Sequence, residues 1–136
     1  MRRKMIAVLC GLLMSGSLVA AGTAEAAHDP LGGTSARNQV LHKGCHRYPF
    51  TYRVTPPPFT DVWSTEVFLK GPGGARVGSA YFLSPADPAS GRAAWRLCRA
   101  SMVPGKYTMK MKVTLIDGYD LSTTWVKPTR FRISRR

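Results

Sequence analysis

The run from Pro104 to Asp117 constrains the fold of this 136-residue chain more than any other stretch. Apolar side chains occupy alternate positions, and lysines and threonines fall between them. The apolar members are Tyr107, Met109, Met111, Val113 and Leu115. A two-residue period is typical of a strand with one buried face, because successive side chains point to opposite faces. Since Pro104-Gly105 and Asp117-Gly118 are turn sequences, the run predicts a long antiparallel core strand between two turns.

Shorter segments with the same alternation surround this strand. They are 50–54, 62–70, 76–83, 93–98 and 122–134, the last broken by a bulge at Lys127-Pro128. Turn-forming residues separate the segments, and no helical periodicity occurs. The apolar members of the last strand are Trp125, Phe131 and Ile133. The pattern predicts an all-β fold, an antiparallel β-sandwich of about seven strands.

The first 26 residues have the pattern of a secretory signal peptide. Three basic residues at positions 2–4 precede an apolar run at 5–13, and Ala24-Glu25-Ala26 is a cleavage sequence of the Ala-x-Ala kind. The run is shorter than the roughly 20 residues that span a bilayer. We therefore expect residues 1–26 to be removed, and the product to be secreted with no later membrane span. Residues 27–47 lack alternation and predict an extended lead-in to a domain at 48–136.

Export would determine the state of the cysteines. Cys10 would leave with the signal, so that Cys45 and Cys98 remain in an oxidising compartment. No Cys-x-x-Cys spacing favours a redox site. The sequence therefore predicts one disulfide, between Cys45 and Cys98.

The features of the central run and of the last strand carry a family resemblance. Pro-Gly-x-Tyr at 104–107 opens the long strand, Asp117-Gly118 closes it, and Phe-x-Ile at 131–133 follows in the last strand. Over residues 48–134 this resembles bacterial immunoglobulin-like or fibronectin-III-like domains. The resemblance implies an immunoglobulin-like β-sandwich in which Tyr107 packs at a corner and hydrogen-bonds to backbone. It implies no particular activity, because such folds support many functions.

The strongest cue to function is the excess of positive charge. The chain has 20 Lys and Arg against 7 Asp and Glu; without residues 1–26, 17 remain against 6, a balance of about +11. Lys110 and Lys112 share the outward face of the long strand, and Arg130 and Arg132 share a face of the last strand. Pairing of the two strands would unite these four cations in one patch.

A patch of like charges predicts an anionic partner, because its members repel one another until they are neutralised. The expected partners are an anionic cell-wall polymer, an acidic glycan or an anionic lipid surface. No motif for specific nucleic-acid recognition is present. The competing interpretation is that the charge serves solubility alone. We expect a monomeric, noncatalytic binding module without a cofactor, because the few acidic residues lie scattered in loops and no Gly-x-Ser-x-Gly occurs.

Three histidines leave a second hypothesis open, that of a copper-binding protein or copper-dependent enzyme. Some secreted β-sandwich copper proteins, which this chain resembles in outline, bind the metal through an N-terminal histidine. His28 would take that role if cleavage followed Ala27, with His42 or His46 supplying a further nitrogen. Cleavage after Ala26 would instead leave three histidines in a polar segment.

Overall fold

Two β-sheets packed face to face make up residues 29–136, the part of the chain that the computed structural model describes. The signal peptide predicted at 1–26 and the copper ligand predicted at His28 lie outside these residues. The strands are β1 (Gly32–Ser35), β2 (Gln39–Leu41), β3 (Cys45–Val54), β4 (Val62–Lys70), β5 (Arg76–Leu83), β6 (Ser90–Cys98), β7 (Gly105–Asp117), β8 (Asp120–Trp125) and β9 (Thr129–Arg135).

The smaller sheet has the strand order β1-β3-β6, and the larger sheet has the order β2-β9-β7-β4-β5, with β8 also paired to β7. The pairing of β2 with β9 is parallel, and all the other strand pairs are antiparallel. The prediction of an all-β, sandwich-like fold with one disulfide is confirmed. The described residues hold nine strands rather than about seven, because β1 and β2 lie where the sequence predicts an extended lead-in.

The two additional strands are held by backbone geometry and cross-sheet bonds rather than by an apolar pattern. Gly32 in β1 has φ +131, and a Cβ at this position would collide with the carbonyl oxygen of Arg53 on β3, so the close approach requires glycine. Thr34 Oγ1 lies 3.0 Å from Thr129 Oγ1, and this buried hydrogen bond joins β1 to β9 in the other sheet. With four and three residues, β1 and β2 are too short to display a periodic signal.

The long central strand occurs as predicted and organises the larger sheet. β4 pairs along one edge of β7, while β8 and then β9 pair along the other edge. Trp125 lies opposite Lys112 and Thr129 lies opposite Met109, so the three residues 126–128 face the two residues 110–111. One extra residue on one strand is a β-bulge. The bulge predicted at Lys127-Pro128 is therefore confirmed.

The core lies between the sheets and is built mainly from β7 and β4. Its fully buried side chains include Tyr107, Met109, Met111, Val113, Val67, Leu69 and Ile133. The rings of Tyr52 and Phe82 stack with centroids 3.8 Å apart and connect the smaller sheet to β5 of the larger one. Because one face of each sheet fills this core, the alternate side chains form two outer faces on opposite sides of the sandwich.

The disulfide between Cys45 and Cys98 is present, but it does not join the two sheets. Cys45 lies directly opposite Cys98 in the β3–β6 pair, so the bridge connects neighbouring strands of the smaller sheet. It closes a chain segment of 53 residues. The bridge therefore fixes the register of β3 against β6 rather than the distance between the sheets.

Tyr107 makes the corner contact that the resemblance implies. Its ring is buried at the start of β7, and its hydroxyl donates a hydrogen bond to the Val103 carbonyl oxygen at 2.6 Å. Burial raises the pKa of the Tyr107 hydroxyl. The contact ties the turn before β7 to the strand itself.

Candidate functional site

The four predicted binding residues share the outer face of the larger sheet. Odd-numbered residues of β7 and β9 point into the core, so Lys110, Lys112, Arg130 and Arg132 point outward. The two arginines are exposed and the two lysines are half-buried. We call this surface, with Lys106, Phe68 and Trp125 added below, the hairpin face.

The register of β7 against β9 adds a fifth cation that the prediction did not include. Arg132 lies directly opposite Lys106, and Arg130 lies opposite Thr108. Lys106 is exposed and shares the alternation of Lys110, which is the signal by which it could have been found. Like charges directly opposite on neighbouring strands are destabilising. The hairpin face thus contains a cross-strand pair of cations that repel each other.

Only one of the five cations has an acidic partner among the described residues. Lys112 forms an ion pair with Glu66, which lies opposite it on β4. Both side chains are partly exposed, and such pairs contribute about 0–1 kcal/mol to stability. The charges of Lys106, Lys110, Arg130 and Arg132 are not neutralised by any ion pair within residues 29–136.

Two aromatic rings lie among these cations. Trp125 is 51% exposed, and its ring centroid lies 5.8 Å from that of Phe68. Lys110 Nζ is 4.9 Å from the centroid of the Trp125 ring, and Arg76 Cζ is 5.5 Å from the centroid of the Phe68 ring. These are cation–π distances. The hairpin face therefore combines positive charge with exposed ring surface.

The sequence alternation predicts that Trp125 lies on the same face as Phe131 and Ile133. In the structure it lies on the opposite face. Phe131 and Ile133 are buried, whereas Trp125 is opposite the outward-pointing Lys112. The cause is the bulge: one extra residue between β8 and β9 reverses the alternation, so odd-numbered residues point inward after it and outward before it. The bulge thereby places a tryptophan on the cationic face.

The acidic side chains of three loops bond to backbone rather than to one another. Asp29 Oδ1 accepts the Leu31 amide at 3.0 Å, Asp61 Oδ2 accepts the Gly118 amide at 2.8 Å, and Asp87 Oδ2 accepts the Leu83 amide at 2.9 Å. Carboxylates that accept amide hydrogen bonds stabilise turns. These three aspartates therefore have a structural role in their loops.

Two of the three histidines lie close together near the start of β3. The ring centroids of His42 and His46 are 5.5 Å apart, and His46 Nε2 lies 2.7 Å from the Lys43 carbonyl oxygen. Within residues 29–136, no three His, Cys, Asp or Glu side chains are grouped so as to hold a metal ion. The copper hypothesis would need His28, which is outside the described residues.

Comparisons of the chain with known proteins assign it to no family. No protein family model, curated protein or solved structure matches the chain. The described part of the chain contains no helix that is long and apolar enough to cross a membrane.

Proposed function

We propose that this protein is a secreted, noncatalytic binding module that binds an acidic polysaccharide through its hairpin face. The observation that carries the proposal is the imbalance of charge on that surface. The outward positions of β4, β7 and β9 hold six cations and one acid. They are Lys70, Lys106, Lys110, Lys112, Arg130 and Arg132, against Glu66. Such a surface raises the local concentration of an anionic polymer and speeds its association.

The exposed ring of Trp125 favours a polysaccharide over a partner that offers charge alone. The C–H face of a sugar ring is apolar and packs against an aromatic ring, and Trp125 presents such a ring beside Lys110, with the half-buried Phe68 next to it. A carboxylate or sulfate on the same sugar would then lie within reach of the neighbouring cations. A chain of acidic sugars thus satisfies both features of the hairpin face.

We further propose that the domain is immunoglobulin-like. In such domains the second and fifth strands share one sheet, and the third, sixth and seventh strands share the other. We match β3 and β6 to the second and fifth strands, and they share one sheet here. We match β4, β7 and β9 to the third, sixth and seventh strands, and they share the other sheet. The hydrogen bond from Tyr107 to Val103 supports the same assignment, because it corresponds to the tyrosine corner of that fold. The disulfide within one sheet is a departure from antibody domains, where the bridge joins the two sheets.

The charge part of the proposal is tested by retention on immobilised heparin and polygalacturonate, with neutral dextran as a blank. The hairpin-face variant replaces three cations and leaves the Lys112–Glu66 ion pair intact. Its changes are Lys110→Gln, Arg130→Gln and Arg132→Gln. We expect it to elute at a lower salt concentration than the wild type, because exposed charges are screened over about 8 Å at physiological ionic strength.

A control variant with the same net charge separates the hairpin face from overall charge. It changes three cations that lie outside the strands, Lys43→Gln, Arg99→Gln and Arg136→Gln. The proposal requires the control to elute close to the wild type. Equal losses in the two variants would mean that only net charge matters, and unchanged elution of both would mean that the charge serves solubility.

The ring part of the proposal is tested without any change of charge. Trp125→Ala should weaken binding to both acidic polysaccharides, whereas Phe59→Ala, which truncates a ring that is 90% exposed away from the hairpin face, should not. If Trp125→Ala binds the polysaccharides as the wild type does, the polysaccharide assignment is wrong. Binding to anionic phosphatidylglycerol vesicles but to neither polysaccharide would assign the hairpin face to a lipid surface instead.

A further inference from the structure

A third aromatic ring, that of Tyr81 on β5, lies on the same side of the larger sheet as the hairpin face. Phe82 and Ala80 pack against the core, so the two-residue period of β5 directs Tyr81 outward. Tyr81 is 58% exposed. Its side chain makes no hydrogen bond or ring contact with a described residue. The polysaccharide site described above does not include this ring.

The register of the larger sheet places Tyr81 in one row with Trp125. Tyr81 on β5 lies directly opposite Glu66 on β4. Glu66 lies opposite Lys112 on β7, and Lys112 lies opposite Trp125 on β8. Residues that lie directly opposite each other in antiparallel strands share one face of the sheet. We call these four residues the cross-strand row, which has a tyrosine at one end and a tryptophan at the other.

The middle of the cross-strand row carries no net charge. Glu66 and Lys112 form the ion pair described above, and each neutralises the other. Phe68, two residues from Glu66 along β4, points to the same face, and its ring centroid lies 5.8 Å from that of Trp125. A chain of sugars that follows the row therefore meets an exposed aromatic ring at each end and no unpaired charge between them.

The two sides of the cross-strand row differ in charge. The outward cations of β4, β7 and β9 other than Lys112 all lie toward the start of β7. They are Lys70, Lys106, Lys110, Arg130 and Arg132. The next row toward the end of β7 is uncharged and consists of Leu83, Ser64, Thr114 and Thr123. A polymer that follows the cross-strand row thus has cations along one edge and mainly hydroxyl groups along the other.

We propose that Tyr81 is a second sugar-binding ring, and that the polysaccharide lies across the strands from Trp125 to Tyr81. This inference rests on the proposed function, because Trp125 supplies the first ring. Opposed residues of antiparallel strands have Cα atoms about 4.5–5.5 Å apart, so the three steps from Tyr81 to Trp125 span roughly 15 Å. The ligand class is therefore a linear chain of several sugars whose acidic groups project from one edge of the bound segment, toward the start of β7.

The competing path for the polymer runs along β7, from Trp125 toward Lys106 and Arg132. The outward positions of β7 and β9 hold no aromatic ring, so a chain on that path would leave the exposed ring of Tyr81 unused. The path along the cross-strand row contacts both exposed rings. It also passes beside Lys110, whose Nζ is 4.9 Å from the centroid of the Trp125 ring. The row therefore accounts for more of the surface than the path along β7 does.

The second ring is tested by titration calorimetry with a heparin-derived tetrasaccharide, which is long enough to reach from Trp125 to Tyr81. Tyr81→Ala should weaken binding roughly tenfold, because aromatic side chains that become buried in an interface often carry a large share of its binding energy. Tyr81→Phe, which keeps the ring, should bind as the wild type does. The control Tyr119→Ala truncates a fully exposed tyrosine in the turn between β7 and β8, and it should also bind as the wild type does. None of these variants changes the net charge.

The failure of this inference and the failure of the proposed function give different results. If Trp125→Ala weakens binding and Tyr81→Ala does not, the second ring is wrong and the proposed function stands. If Tyr81→Phe binds as weakly as Tyr81→Ala, the hydroxyl rather than the ring makes the contact, which also refutes the second ring. A loss in Tyr81→Ala alone would refute Trp125 as the first ring, and with it the row. If neither alanine variant weakens binding, or if the wild type does not bind, both proposals are wrong.

The direction of the bound chain is measured separately with the same tetrasaccharide carrying a nitroxide at its reducing end. The nitroxide broadens the NMR signals of amide groups that lie near it. We expect broadening around Tyr81, around Trp125 or around both, while the signals of Lys106 and Arg132 stay sharp. Broadening at Lys106 and Arg132 as strong as that at either ring would show that the chain follows β7, and would overturn the path across the strands.

Discussion

Removal of the Cys45–Cys98 bridge should destabilise the protein mainly by releasing the unfolded chain. The bridge closes a segment of 53 residues. For a loop of that length, the loss of chain entropy in the unfolded state stabilises the fold by about 4 kcal/mol. Cys45 is exposed, so serine in its place leaves no cavity in the core. Nearly all of the effect should therefore arise from the unfolded state.

The double variant Cys45→Ser, Cys98→Ser should therefore remain folded with a free energy of unfolding about 4 kcal/mol below that of the oxidised wild type. For a domain of this size, such a change lowers Tm by roughly 15–30 °C. Urea unfolding followed by circular dichroism measures the difference, and wild type treated with a reductant serves as the control, since it should unfold with the variant. A difference below about 1 kcal/mol would refute the loop-entropy argument, because it would mean that the unfolded chain is already held compact without the bridge.

Three further predictions concern single residues. Tyr107→Phe, which deletes the hydroxyl that bonds to Val103, should lower the free energy of unfolding by about 0.5–1.5 kcal/mol; no change would mean that the corner bond contributes nothing net. Burial raises the pKa of Tyr52 and Tyr107 above 10.0, so stability should be lost as the pH rises from the unfolded value through the higher folded pKa. Urea titrations from pH 9 to 11 should show a smaller decline for Tyr52→Phe than for wild type, and an equal decline would contradict the assignment. Gly32→Ala should cost more than the roughly 1 kcal/mol typical of a point mutation, because the added methyl meets the Arg53 carbonyl oxygen at a positive φ; a wild-type unfolding midpoint would contradict the close approach.

The long strands were predictable because their alternation persists over many residues. β4 and β5 have the predicted bounds of 62–70 and 76–83, and β7 occupies 105–117. β3 and β6 begin earlier than predicted, at Cys45 and Ser90, because their first residues carry no apolar alternation and are held by pairing with each other. The local sequence pattern indicates which strands have one buried face. It does not indicate strands that are held only by pairing with a segment distant in the chain.

Some residues of the hairpin face could be predicted from the alternation, and others could not. The shared outward face of Lys110 and Lys112 follows from the two-residue period alone. The pairing of Lys106 with Arg132 depends on the register of the hairpin, which a single bulge residue displaces. The same displacement reversed the orientation expected for Trp125. Where a bulge lies can be inferred from a proline, but the number of residues that it absorbs is set by tertiary pairing.

The position of β6 at the border of the smaller sheet has a consequence for self-association. An unpaired strand edge is a template on which a second molecule can add its own strand, and proteins resist this with charged side chains. β6 pairs with β3 along one edge only and carries Arg92 and Arg96. If two copies met along this edge, the arginines of each strand would be brought against those of the other. The charge of Arg92 and Arg96 would thus keep free domains from aggregating, and a polymer that neutralised it would remove that protection.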